Sequence, residues 1–332
     1  MFIKTSKKIE IVDSDVRAFE KLPNGVYLTK YNKQTDNYFL EETAPFITPS
    51  KIYGNSNELS DRYVNTFNKG NKNMGILLTG LKGTGKSLTA KLTCIKSNIP
   101  VILITEPFCD DTFKGFLNSL TQEVIIFIDE FEKVYNDIDE QNALLSLLDG
   151  VFEGKKLFLF TSNATDNINK FMINRPGRIR YLSEYESLDY GIINEVIDDT
   201  LINKLYKDEM LDVMDILGVV SMDILVGLID EVNTYGESPK VAASYLNIRP
   251  ERNQYSVTIF KDNIKNGSTS TKLHPLTINK TTIEYFNIER LWEDIEIDMK
   301  EWDLIKDGKK VIMVKDEFKV IFEPQLTNKF AF

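Results

Sequence analysis

The sequence predicts an α/β fold built on a parallel sheet, with a helical lid and β-rich N- and C-terminal appendages. Three observations predict it. Pro100–Thr105, Glu123–Ile128 and Leu157–Phe160 are unalternated apolar runs, the pattern of strands buried on both faces of a parallel sheet. Helical stretches such as Asp139–Leu148 separate them, which requires crossover connections. A short apolar run, Gly75–Thr79, passes through a glycine-rich turn into helical spacing over Leu88–Ile95.

The elements follow in order. Residues 1–48 read as a β-rich segment, with Val26–Tyr31 and Asn37–Glu41 flanking the polar turn Asn32–Asp36 as a hairpin. Residues 49–187 carry the α/β core. Residues 188–249 read as wholly helical: one helix over Tyr190–Tyr206, one from near Asp208, one over Ser221–Val232, and a last one opened by Ser238-Pro239, an N-cap followed by proline at the first helical position. Residues 250–332 return to strands, with Tyr255–Phe260, Thr281–Phe286 and a hairpin over Lys310–Phe322. Within this last part Trp292, Ile295, Met299 and Trp302 fall near one helical face, so Leu291–Leu304 is expected as an amphipathic helix docked on the sheet.

The chain of 332 residues is 42% hydrophobic and 27% charged, an ordinary globular composition that excludes a disordered or disulfide-scaffold protein. Cys94, Cys109 and the single histidine, His274, are too few for a zinc site of Cys and His ligands. No run of 18 apolar residues occurs and the first residues turn charged at once, so a cytoplasmic protein without a membrane span is expected. The net charge of −10 is concentrated: residues 181–250 hold 4 basic and 14 acidic residues, which alone gives 4 − 14 = −10. An acidic chain is a poor binder of duplex DNA, whose affinity comes from phosphate neutralisation. Between Asp61 and Glu106, by contrast, only basic charges occur, among them Lys82, Lys86 and Lys96.

Gly80-Leu81-Lys82-Gly83-Thr84-Gly85-Lys86-Ser87 satisfies G-x-x-x-x-G-K-[ST] between a strand and a helix. The glycines Gly80, Gly83 and Gly85 let backbone N–H groups, with those of Lys82, Thr84 and Leu88, turn toward phosphate oxygens at a helix N-terminus. Lys86 would reach the β- and γ-phosphates of ATP, and the Ser87 hydroxyl would take one Mg2+ position. Further along, Ile125–Ile128 ends in Asp129 and Glu130. A buried strand delivers both carboxylates to its C-terminal edge, where open α/β sheets bind ligands. Asp129 would hold the Mg2+ and Glu130 would deprotonate the attacking water.

A further strand ends in Thr161-Ser162-Asn163, and Asn174-Arg175-Pro176-Gly177-Arg178 follows. This ordered series resembles the AAA ATPases of the AAA+ superfamily, over about residues 50–247. The resemblance implies a P-loop NTPase core that hydrolyses ATP in a homo-oligomeric ring, usually a hexamer, and works on a protein client. It implies that Asn163 is the sensor that helps position the water. Arg175 and Arg178 are implied as arginine fingers acting on ATP held by a neighbouring subunit, and Tyr53 and Gly54 as the linker touching the adenine. The layout is similar to the mitochondrial AAA group that translocates the Rieske iron–sulfur protein, without its transmembrane anchor. The Lys- and Asn-rich composition resembles AAA proteins of large tailed phages, which would place the protein in a host cytoplasm. Phe108 and Phe116 are the candidates for a pore-loop aromatic, core packing being the commoner use of such residues. Lys240 is the candidate for a second sensor. A helicase-loader-like ATPase and an ATP-gated structural ring are the competing functions.

Overall fold

The computed structural model describes residues 2–5, 8–11, 17–148, 152, 154–163, 168–169, 178–246, 248, 255–272, 275, 280–298, 301–307 and 310–324. The chain divides into two compact units, Met1–Glu186 and Ser187–Phe332.

The first unit opens with a two-stranded antiparallel pair, β1 (Phe2–Thr5) and β2 (Lys8–Ile11). Its body runs β3 (Val26–Asn32), β4 (Asn37–Thr43), α1 (Ser56–Lys69), β5 (Met74–Gly80), α2 (Lys86–Ser97), β6 (Val101–Leu103), α3 (Asp111–Ser119), β7 (Val124–Ile128), α4 (Phe131–Val134), α5 (Ile138–Leu148), β8 (Lys156–Ser162) and β9 (Ile179–Tyr185). These strands form one sheet in the order β4-β3-β6-β7-β8-β5-β9, parallel throughout except for β4. The apolar runs are buried on both faces because each strand alternates between two cores. Val124, Ile126 and Ile128 join Phe113, Leu117, Phe131 and Leu144 under α3, α4 and α5, whereas Ile125 and Phe127 join Tyr63, Phe67, Ala90 and Cys94 under α1 and α2.

The hairpin expected within a separate N-terminal segment belongs to this sheet. β3 pairs parallel with β6, Val26 opposite Val101, and Tyr27 enters the core between them. Phe108 is buried, its ring against Tyr38 and Phe113, and Phe116 is half-buried alongside, so both pore-loop candidates pack on the core.

In the second unit α6 (Tyr190–Thr200), α7 (Lys207–Leu217), α8 (Met222–Tyr235) and α9 (Pro239–Tyr245) bury Val196, Met210, Leu225 and Leu228. The helix expected over Tyr190–Tyr206 stops at Thr200. A 3-10 turn over Lys204–Tyr206 follows, capped by Asn203. Residues 255–324 form an antiparallel sheet of β10 (Tyr255–Lys261), β11 (Ile264–Thr271), β12 (Lys280–Asn287), β13 (Trp292–Asp298), β14 (Asp303–Asp307), β15 (Lys310–Lys315) and β16 (Phe318–Pro324), in the order β13-β12-β11-β10-β16-β15-β14.

The amphipathic helix expected over Leu291–Leu304 is two strands, β13 and β14. The sequence Asp294-Ile295-Glu296-Ile297-Asp298 alternates with period two, and the sheet selects that period. Ile295 and Ile297 face the core and Trp302 is buried, while Trp292 is 69% exposed. Met299 and His274 lie outside the described residues.

Candidate functional site

The strand order brings the motifs together. β8 lies between β7 and β5, with Ile128 opposite Phe160 and Thr79 opposite Ser162. The C-terminal ends of three adjacent strands therefore carry Asp129 and Glu130, then Thr161 to Asn163, then the loop from Gly80.

That loop needs its glycines. Gly80, Gly83 and Gly85 take φ of +120°, +73° and +101°, a region that side chains disfavour. At Gly80 there is no room either: a Cβ would lie 1.9 Å from the carbonyl oxygen of Tyr185. That oxygen accepts a hydrogen bond from Leu81 N at 2.9 Å, pinning the loop to β9. Within the loop Thr84 Oγ1 donates to Leu81 O at 2.7 Å, and Lys82 is exposed. Lys86 opens α2 and is 5% exposed; its Nζ donates to Gly80 O at 2.8 Å and also to Leu81 O. Burial draws the Lys86 ammonium below its ordinary pKa, and Glu132, Asp129 and Glu130 oppose that shift.

Ser87 Oγ donates to Asp129 Oδ1 at 2.8 Å, across 42 residues of sequence. The same oxygen accepts from Thr161 Oγ1, and Thr161 Oγ1 accepts from Glu130 N at 2.9 Å. Thr161 thus ties both carboxylate residues to β8. Glu130 holds φ +53°, the left-handed region, at the start of α4. Its Oε1 accepts from Lys133 Nζ at 2.6 Å and from Asn163 Nδ2 at 3.2 Å. The Lys133 hydrogen bond, more than any other contact, holds the Glu130 carboxyl below its ordinary pKa. Asn163 also donates to Glu132 Oε1 from both its backbone N, at 3.1 Å, and its Nδ2, at 3.0 Å.

Behind the loop a chain of hydroxyls runs inward. Tyr185 OH donates to Thr89 Oγ1 at 2.7 Å and Thr89 Oγ1 to Ser56 Oγ at 2.9 Å, which lies 3.9 Å from a Cβ placed on Gly85. Tyr53 and Gly54 lead into this N-terminus of α1, Gly54 at φ +70° and Tyr53 with Lys51 Nζ over its ring at 4.9 Å. Leu88 is half-buried in the first turn of α2.

Arg178 stands apart from the cluster. Its carbonyl packs against Gly75 at the start of β5, where a Cβ would meet it at 2.1 Å. Gly80 is five residues further on, roughly 16 Å along a strand. Arg175 lies outside the described residues, as do Asn174, Pro176 and Gly177.

Sequence reasoning therefore pointed to Gly80 to Ser87, Asp129, Glu130 and Asn163, which the fold gathers. It passed over Glu132, Lys133 and Tyr185, and it met Thr161 only as the end of a strand. Of these, Glu132 and Lys133 had one available signal: they follow the carboxylate pair at the spacing of a single helical turn.

The donor set suits magnesium ATP. Ser87 and Asp129 offer hard oxygens, the chemistry Mg2+ prefers, beside a cationic, glycine-lined loop.

Residues 76–184 match the family described as ATPase family associated with various cellular activities (AAA). Among curated proteins the chain is similar to the ATP-dependent zinc metalloprotease FtsH of Mycoplasmopsis synoviae, 34% identical over 127 residues, 31% of this chain and 19% of that protein. It is also similar to the chloroplastic ATP-dependent zinc metalloprotease FTSH 9 of Arabidopsis thaliana, 30% identical over 138 residues, 35% of this chain and 17% of that one. The matched part of the chain thus spans under a fifth of the length of these relatives. Among solved structures, the RuvB Holliday junction branch migration motor of Thermotoga maritima is 15% identical with a TM-score of 0.43, over 60% of this chain and 72% of that one. Residues 76–184 are therefore an AAA domain.

Proposed function

We propose that the chain hydrolyses Mg-ATP as a homo-oligomeric ring, usually six subunits in this superfamily, and uses the cycle to remodel or translocate a protein partner. The observation that carries the reading is one hydrogen-bonded cluster joining Ser87, Asp129, Thr161, Glu130 and Asn163 at the edge of three neighbouring strands, beside the loop whose Gly80 O holds Lys86 Nζ.

In this reading the backbone of Gly80 to Leu88 and the Lys86 ammonium bind the phosphates, with Lys82 adding charge at the rim. Ser87 and Asp129 would hold Mg2+, which supplies charge neutralisation on the phosphate oxygens. Glu130 accepts the proton of the attacking water while Asn163 orients it. Tyr53 and Gly54 contact the adenine. Arg175 and Arg178 complete the site of a neighbouring copy, and the position of Arg178 at the far end of β5 supports a role outside its own phosphate loop.

The division at residues 187 and 249, with residues 188–249 as the lid, is part of the same proposal, whereas the boundary at 48 falls away because β3 and β4 belong to the core sheet. A cytoplasmic location is also part of it, in a host cell if the chain is phage-encoded. Among the described residues no helix is long and apolar enough to cross a membrane. The proteolysis named in the relatives is not included, because the similarity covers under a fifth of those proteins. Nucleic acid is the weaker choice of partner: Lys96, in the basic stretch, is paired with Asp61 at 2.8 Å.

The test is complementation. Mixing Lys86→Ala chains with Arg175→Ala chains should restore part of the hydrolysis that each lacks alone. Failure at every ratio would remove the shared site and with it the ring.

A further inference from the structure

We propose that Lys133 is a positioning residue for ATP hydrolysis: it holds one carboxylate oxygen of Glu130 so that the other is presented to the attacking water. The proposal rests on the reading of Glu130 as the base and adds to it how that base is aimed.

Lys133 lies on the four-residue helix α4. Phe131 is fully buried, stacked on Tyr135 at 5.4 Å and edge-on to Phe160 of β8 at 5.4 Å. This ring anchors the turn to the sheet, so residues on either side of it have fixed directions. Glu130 precedes it in the left-handed region, and Lys133 follows one turn later. The turn closes twice: Lys133 N donates to Glu130 O at 2.8 Å, and Lys133 Nζ donates to Glu130 Oε1 at 2.6 Å.

A second donor falls on the same atom. Asn163 Nδ2 reaches Glu130 Oε1 at 3.2 Å, and the Asn163 amide is itself held by Glu132 Oε1. Lys133, Glu130, Asn163 and Glu132 thus form one chain of alternating donors and acceptors. Two donors on Oε1 fix the Glu130 side chain, which would otherwise sample several rotamers. They also keep the bound oxygen out of proton transfer and leave the lone pairs of Oε2 for it.

Stability is a poor explanation for the pair. The Lys133 side chain is 60% exposed and that of Glu130 38%, and ion pairs this open add little to folding. Orientation is what remains. A general base lowers the barrier only when it lies within hydrogen-bond reach of the proton it takes.

The experiment compares Lys133→Met, Lys133→Arg and Glu130→Gln in the full chain, measuring steady-state ATP hydrolysis and thermal unfolding. Lys133→Met should lower kcat about tenfold, a fraction of what a general base contributes, with KM for ATP and Tm unchanged. Lys133→Arg should recover most of that loss, since it keeps a donor within reach. Wild-type kcat in Lys133→Met beside an inactive Glu130→Gln would overturn the positioning role alone. So would a loss that appears in KM, or one that Lys133→Arg does not recover. Undiminished hydrolysis in Glu130→Gln would instead remove the base assignment on which the proposal stands.

Discussion

Lys86 and Lys156 sit at opposite ends of one parallel sheet and bond in the same manner. Lys86 follows the C-terminal end of β5 and donates to two backbone carbonyls, Gly80 O and Leu81 O. Lys156 begins β8 at the other end and also donates to two, Leu120 O and Gln122 O. Both are buried, and burial lowers both pKa values, that of Lys156 to about 8. Their surroundings differ. Three carboxylates, Glu132, Asp129 and Glu130, act on Lys86, whereas Glu123 alone acts on Lys156. The carbonyls that hold Lys86 belong to a loop of left-handed glycines. Those that hold Lys156 lie in a stretch packed so closely that a Cβ on Gly154 would stand 2.4 Å from Gln122 O. A lysine's hydrogen bonds therefore do not separate a ligand-binding role from a structural one; the charge and backbone around it do.

That contrast can be broken by experiment. The largest effect is expected at the catalytic edge: Glu130→Gln should lower kcat by about 10²–10⁴ while leaving ATP affinity intact, as read by steady-state hydrolysis and nucleotide titration. Lys86→Ala should weaken ATP binding about 10- to 100-fold, the worth of a charge-assisted phosphate contact, with little change in Tm. Lys156→Met should do the reverse. Two buried carbonyls lose their donor at a cost of about 2 kcal/mol, lowering Tm by roughly 4–8 °C with KM for ATP unchanged. A Lys156→Met chain with normal Tm and impaired binding would erase the distinction between the two ends.

The smallest effect is a pH dependence. Lys156 binds its proton less tightly folded than unfolded, so the unfolded chain carries more protons between about pH 8 and the ordinary lysine range. Stability should therefore rise with pH across that window relative to Lys156→Met, in which this contribution is absent. Chemical unfolding of both chains at pH 8 and pH 10 measures the difference, and parallel curves would count against a buried, partly neutralised lysine.

The two ends were not equally legible in the sequence. Gly80 to Ser87 is contiguous and its glycines mark a backbone that few residues can follow, so the loop was readable without a structure. Asp129 and Glu130 were readable because they end an apolar run, and Asn163 was readable through the resemblance of the ordered series to AAA ATPases. Lys156 was hidden: its partners are 34 and 36 residues away, and nothing local distinguishes it from its neighbour Lys155. The hydroxyl chain Tyr185, Thr89 and Ser56 was hidden for the same reason, as was the strand β9 that supplies Tyr185. The region around Trp292 misled in a different way. Its spacing fits a helix and a strand alike, and only pairing with β12, Phe286 opposite Trp292, decides between them.

Tyr185 also fixes a mechanical fact about the chain. Its carbonyl accepts from Leu81 N and its hydroxyl donates to Thr89 Oγ1. One residue of β9 thus grips the glycine loop through its backbone and the buried side of α2 through its ring, so a Tyr185→Phe chain would keep the first grip and release the second.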